Sequence, residues 1–173
     1  MTDPRYPIGA FVRPLELNAA DRAAAVSHIR ETPARLRQAL DGLDERQLDT
    51  PYRDGGWTVR QVAHHVPDSH LNAYIRCKLA LTEDVPTIKP YDEAAWARLP
   101  DSQLAVEVSL QMLEAVHERW LVLLENLSET DWIRTYIHPE TGLNRLDQLA
   151  ALYAWHGRHH TAQVTSLRER LGW

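Results

Sequence analysis

Leu149-Ala150-Ala151-Leu152-Tyr153-Ala154-Trp155-His156-Gly157-Arg158-His159-His160-Thr161-Ala162-Gln163-Val164 is the stretch whose spacing decides the fold. Continued to residue 171, it sets Leu149, Leu152, Tyr153, His156, His160, Val164, Leu167 and Leu171 on one stripe at the three- and four-residue spacing of an α-helix. Residues four apart lie one turn above another, so His156 and His160 point the same way from the middle of the face that must be buried. Two imidazoles there cost desolvation free energy unless each ring finds a partner. A bound divalent metal is one such partner, since imidazole suits zinc, nickel and copper. Ordinary hydrogen bonds are the other, and the spacing alone does not choose.

Outward from this segment, the helix is expected to begin near Asn144, and three more long amphipathic segments precede it. The first runs from Asn18 as N-cap to about Leu40, with Asp21 in its first turn and with Pro33 inside it, which kinks or splits the helix. The second opens at Thr58, which forms a T-x-x-Q capping box with Gln61, and reaches about Leu81. Val59, Val62, Val66, Ala73 and Cys77 mark its apolar face, and Pro67 predicts a bend close to His65. The third runs from about Asp101 to Asn126 on Leu110, Leu113, Val116, Trp120 and Leu124.

Residues 1–17 carry Pro4, Pro7, Gly9 and Pro14 and read as an extended arm. Residues 49–56 form a turn-rich loop, Asp92 caps a short helix through Arg98, and residues 131–143 suit an irregular crossing or a short hairpin. Four long amphipathic segments with almost no strand signal predict an all-α four-helix bundle, one domain over residues 1–173.

A metal needs a third ligand, and the second helix offers His64, His65 and His70. His65 follows Val62 by three residues and falls at the core edge; His64, about 100° away around the axis, reads as a surface residue. Spacing favours His65 over His70 without excluding His70. His28, His117, His138 and His159 have no partner at ligand spacing and read as surface or hydrogen-bonded core residues. Cys77 reads as a small core residue. Asp68 and Gln163 either orient ligand rings or face solvent. Trp57, Trp120, Trp155 and Tyr153 either line a pocket or pack in the core.

Composition narrows the function classes. A net charge of −5, with arginines dispersed among acids, argues against nucleic-acid binding. No run is long and apolar enough for a membrane span, and the polar, Pro-rich start does not read as a secretory leader. The single cysteine, Cys77, makes no internal disulfide, which suits a reducing cytoplasm. There is no H-E-x-x-H, G-x-S-x-G, Gly-rich phosphate loop or CxxC pair.

Several motifs carry a family resemblance. They are Tyr6-Pro7-Ile8-Gly9, the run from Leu48-Asp49-Thr50-Pro51-Tyr52-Arg53-Asp54-Gly55-Gly56-Trp57-Thr58 to Val62, and His64-His65 with Asp68-Ser69-His70. Tyr74-Ile75-Arg76, Pro90-Tyr91-Asp92-Glu93, Tyr153, Trp155-His156, His159-His160 and Gly172-Trp173 continue the match to the end. Through these the chain resembles the DinB-like metalloproteins, and within them the group of YfiT and the bacillithiol transferase BstA, named as metal-dependent hydrolases. The resemblance implies a DinB-like four-helix bundle, a cytoplasmic homodimer and one divalent ion per subunit. The family's metal-binding histidine of the second helix corresponds to His65, and its H-x-x-x-H with a following Gln corresponds to His156, His160 and Gln163. Pro67 departs from the family, where a small helix-former is usual.

Three neutral imidazoles leave a cation's charge uncompensated and a coordination position open, as in catalytic sites. The ion, zinc or nickel, can then activate a water for hydrolysis or hold a thiol as thiolate. No glutamate lies within the His156–His160 segment to act as base, which leans toward the thiol. The expected reaction is therefore S-transfer of a low-molecular-weight thiol, bacillithiol-like, onto electrophilic small molecules. A hydrolase using Asp68 or Glu93 as base is the alternative, and a non-catalytic metal-binding bundle is the third reading.

Overall fold

The computed structural model describes residues 3–173. Among these residues, seven α-helices, one 3-10 turn and one hairpin follow in order: α1 (Ala19–Leu40), α2 (Glu45–Leu48), α3 (Val59–Thr82), α4 (Glu93–Trp96), the 3-10 turn (Pro100–Gln103), α5 (Val106–Glu125), α6 (Glu129–Trp132), β1 (Thr135–His138), β2 (Gly142–Arg145) and α7 (Leu146–Leu171). The four long helices make the bundle. α1 packs on α7 and α5, and α3 packs on α5 and α7, so α1 and α3 sit on one diagonal, α5 and α7 on the other. This order puts α3 beside α7, the two helices that carry His65 and the His156–His160 pair.

The local signals explain most boundaries. Asn18 Oδ1 accepts from Asp21 N at 2.9 Å and starts α1. Thr58 and Gln61 complete the expected capping box, with Gln61 N donating to Thr58 Oγ1 and Thr58 N to Gln61 Oε1. Gly172, at φ +70°, closes α7 in the left-handed conformation that a residue with a Cβ adopts only at a cost. Pro33 and Pro67 lie inside continuous helices, and neither splits its helix.

Some expectations need correction. The third long helix begins at Val106 rather than Asp101, because Pro100–Gln103 forms a separate 3-10 turn and Leu104 is extended. There the Leu104 carbonyl accepts from Arg60 and meets His64 Nε2 at 3.0 Å, bonds unavailable to a carbonyl inside a helix. The fourth begins at Leu146, since Asn144 pairs with Tyr136 across the antiparallel β1–β2 hairpin. Leu171, placed on the buried stripe, is 49% exposed, beyond the last turn that packs on a neighbour.

The apolar core is in two parts. One cluster holds Ile29, Ala73, Cys77, Trp120, Leu149 and Tyr153; the other holds Leu36, Val62, Val66, Leu113, Val164 and Leu167. The four long helices cross the gap between them at Thr32 and Pro33, His65 to His70, His117, and His156 to His160. A polar layer therefore cuts the bundle in half.

At that level α1 and α7 approach closely enough to require glycine. A Cβ on Gly157 would enter the Thr32 side chain, whose Oγ1 is held by the His28 carbonyl at 2.8 Å. Gly157→Ala should therefore destabilise the fold by about 1–3 kcal/mol, the usual cost of overpacking a tight contact. Denaturant unfolding measures it, and an unchanged midpoint would mean that the α1–α7 contact is looser than described.

Candidate metal centre

His65, on α3, and His156 and His160, on α7, each offer one ring nitrogen within 4.8 Å of the others. Among the described residues this is the only such cluster of histidine, cysteine and carboxylate groups, and no carboxylate joins it. His65 Nε2 lies 3.2 Å from His156 Nε2. His65 and His160 are buried and His156 is half-buried, which is the opening toward solvent.

Hydrogen bonds behind the rings decide which nitrogen each presents. The chain starts at the Ile29 carbonyl, which accepts from His117 Nδ1 at 2.8 Å. In a helix that carbonyl would bond the N–H of residue 33, but residue 33 is proline and has none. A carbonyl only accepts, so His117 carries its proton on Nδ1 and offers a lone pair at Nε2. His117 Nε2 is 2.8 Å from His70 Nδ1, which must then donate. His70 Nε2 in turn accepts, at 3.2 Å, from His156 Nδ1. The proton of His156 is thereby fixed on Nδ1, and its Nε2 lone pair faces the cluster.

His160 reaches the same state by a separate route. Its Nδ1 donates to Gln163 Oε1 at 2.9 Å. The amide is oriented from its other end, where Gln163 Nε2 lies 3.0 Å from His159 Nε2 and 3.4 Å from the Arg5 carbonyl. His160 Nε2 is left free toward His65 and His156. His65 has no protein partner on Nδ1 among the described residues, so its tautomer is set at the cluster itself. Without a cation, the His65–His156 contact needs a proton on His65 Nε2; a cation can take that proton's place. Three imidazole donors suit a borderline ion such as zinc or nickel.

Burial keeps these rings neutral. It lowers His65 to about 4 and His117 to about 4, and holds His70, His156 and His160 well below the ordinary histidine value, with neighbouring histidines adding to the effect. A neutral ring is the form that ligates a metal.

Two cavities flank the cluster. One, of about 430 Å³, is lined by His65, His156 and His160 together with Arg5, Arg53, Trp57 and Glu93. The other, of about 300 Å³, lies on the far side of His156 and is lined by Arg76, Tyr136, Tyr153 and again Glu93. The N-terminal arm forms part of the first wall. Tyr6 packs on His159 at 6.0 Å between ring centroids, and Trp155 Nε1 donates to the Gly9 carbonyl at 3.1 Å.

Gln163 does orient a ring, whereas Asp68 bonds none and lines neither cavity; burial raises its carboxyl to about 6. His64 is not a surface residue: it is 6% exposed, with Nε2 on the Leu104 carbonyl and Nδ1 2.7 Å from Ser109 Oγ, and it pins α3 to α5. His70 and His117 are buried partners behind the cluster, a role the sequence reading did not assign. Their signal was present, since His117 falls on the Leu110, Leu113, Trp120, Leu124 stripe. Cys77 is a core residue whose thiol burial pushes up to about 11, and Trp120 is core, while Trp57 and Trp155 line the first cavity.

A profile of the DinB superfamily matches residues 28–164. A Bacillus cereus protein carrying the name "Putative metal-dependent hydrolase" is 58% identical over the whole of both chains, and one of the same name from Bacillus anthracis is 57% identical. The solved structure of YfiT from Bacillus subtilis, described as a probable metal-dependent hydrolase with an unusual four-helix bundle topology, superposes with a TM-score of 0.96. It shares 45% identity and covers 99% of each chain.

The buried neutral rings have a consequence for stability. In the unfolded chain each histidine takes up a proton near pH 6.5, but in the folded chain His65, His117 and His159 resist until about pH 4. The unfolded state therefore binds more protons between those values, so stability is greatest above pH 6.5 and falls as pH drops toward 4. Denaturant midpoints of metal-free protein should decline across that window, each ring contributing up to about 1.4 kcal/mol per pH unit. A flat profile would contradict the burial.

Proposed function

The chain belongs to the DinB superfamily, and from that premise we propose that it is a metal-dependent enzyme in which His65, His156 and His160 hold one divalent ion, zinc or nickel, per subunit. The observation that carries this reading is the set of ring nitrogens within 4.8 Å, two of them with lone pairs aimed at the cluster by hydrogen bonds from behind. The names borne by close relatives point the same way. Once bound, such an ion supplies Lewis acidity, polarising an electrophile and lowering the pKa of a water or thiol that reaches it.

The reaction we propose is transfer of a low-molecular-weight thiol, bacillithiol-like, to an electrophilic small molecule. Two features support it. No carboxylate belongs to the histidine cluster, and Arg53 on the wall of the 430 Å³ cavity, which has no ion-pair partner among the described residues, suits an anionic thiol. The arm and Trp57 screen one side of that cavity, and the histidine edges give the reacting groups a shared position.

Glu93 favours a second reading, hydrolysis. It lines both cavities beside His156, and burial raises its carboxyl, so it is placed to take a proton from a water. A cytoplasmic homodimer, implied by the family resemblance, belongs to the same proposal. No helix among the described residues is long and apolar enough to cross a membrane.

Metal analysis and an activity assay test this reading together. Metal-free protein titrated with zinc or nickel should bind one ion per chain, and His65→Ala should lose that binding; retention in the variant rejects the triad. Loaded protein should consume a model electrophile only when a thiol is supplied. Thiol-independent turnover that disappears in Glu93→Gln would assign hydrolysis instead.

A further inference from the structure

We propose that the 300 Å³ cavity beyond His156 is a recognition pocket for a carboxylate on the small molecule that reacts at the histidine cluster, and that Arg76 binds that carboxylate. The proposal rests on the reading of His65, His156 and His160 as the reacting centre and adds the substrate's chemical class.

Buried guanidinium groups in this fold are paired with carboxylates, with one exception among the described residues. Three arginines are buried: Arg22, Arg60 and Arg76. Arg22 pairs with Glu129 at 2.6 Å, and Arg60 pairs with Glu45 at 2.5 Å and Asp49 at 2.7 Å. Arg76, 8% exposed, has no carboxylate within ion-pair distance among the described residues, and its Nε is buried with no hydrogen-bond partner. A buried, unpaired guanidinium is costly, because taking the charge out of water is offset only by a partner of opposite charge. The protein bears this cost at a single arginine, and that arginine lines a cavity which His156 also lines.

The lining identifies the missing partner. Arg76 comes from α3, Tyr136 from the β1 strand and Tyr153 from α7, so three elements fix the pocket. The planar fork of arginine matches a carboxylate with two parallel hydrogen bonds. Arg13, Glu93 and Glu140 also line the cavity, so its two arginines face two carboxylates, and the lining carries no excess positive charge to favour a dianion such as phosphate over a monoanion. A volume of about 300 Å³ accepts a small acid and not a large cofactor. Glu93 stands on both cavities, so a molecule anchored on Arg76 extends past Glu93 and His156 toward the cluster.

The probe is phenylacetate beside its neutral isostere, phenylacetamide, titrated calorimetrically into metal-free protein so that the acid cannot bind through a metal. Phenylacetate should bind at least about tenfold tighter than the amide, as a charge-assisted bidentate contact implies. Arg76→Met should erase that preference and His65→Ala should keep it. Absence of saturable binding, equal affinity for acid and amide, or a preference that survives Arg76→Met would each overturn the proposal. So would a preference lost in His65→Ala, which would locate the acid at the histidines. Should Arg76→Met not fold, the Arg76 Nε–H resonance of the wild-type protein must move on addition of phenylacetate, and an unmoved resonance is a negative result. Failure of the metal reading leaves the acid preference intact, and failure of the pocket leaves metal binding intact, so the two are separable.

Discussion

A row of hydrogen-bonded imidazoles through the middle of a helix bundle must order its protons in one direction, and the rest of this structure follows from how that direction is set. His65, His70, His117, His156 and His160 divide the apolar core into two clusters. Each ring has two nitrogens and, when neutral, one proton, so a row of rings satisfies itself only if all protons point the same way along the row. The direction here is set by one atom, the Ile29 carbonyl, which only accepts. From it the order passes through His117 and His70 to His156, and leaves the His156 Nε2 lone pair at the open end of the row. Such fully connected buried networks select a single arrangement, because each reversed ring strands a donor in a low-dielectric interior.

The bundle is built to hold that row. Pro33 removes the N–H that would otherwise claim the Ile29 carbonyl. Gly157 lets α7 come against Thr32, which brings His156 to the depth of His70. His64, about 100° around α3 from His65, ties that helix to Ser109 and to the Leu104 carbonyl, so the rotation of α3 that aims His65 is fixed by its neighbour in sequence. The diagonal placement of α5 and α7 lets His117 reach His70 on α3 from one side while His156 reaches it from the other. Arg76, six residues beyond His70 on the same helix, then faces the second cavity, and Glu93 from α4 bridges the two cavities.

The sequence made the helices legible because their signals are local. Asn18, Thr58 with Gln61, and the apolar stripes of α3, α5 and α7 each act within a few residues, and they placed the four long helices. The H-x-x-x-H spacing of His156 and His160 was legible for the same reason. Spacing favours His65 over His70 but does not exclude His70, since both are buried and the choice depends on how α3 is rotated against α7. His64 was misread as exposed because its partner, the Leu104 carbonyl, exists only where the third helix fails to begin on time. Pro33 was legible as a disturbance, but its effect is exerted on a carbonyl that accepts from His117, a bond joining residues 88 apart in the chain. Arg76 gave no signal, since an unpaired charge is a property of three-dimensional surroundings.

Protein hydrogen bonds, independent of any ion, hold His156 and His160 with the proton on Nδ1 and the lone pair on Nε2. Long-range ¹⁵N–¹H correlation spectra of metal-free protein labelled in its histidine rings read this directly. The account predicts the Nδ1–H tautomer for His117, His70, His156 and His160 at neutral pH, with Nε2 unprotonated in each. An Nε2–H tautomer at His156 would contradict it, because the row would then run the other way and present no lone pair to the cluster.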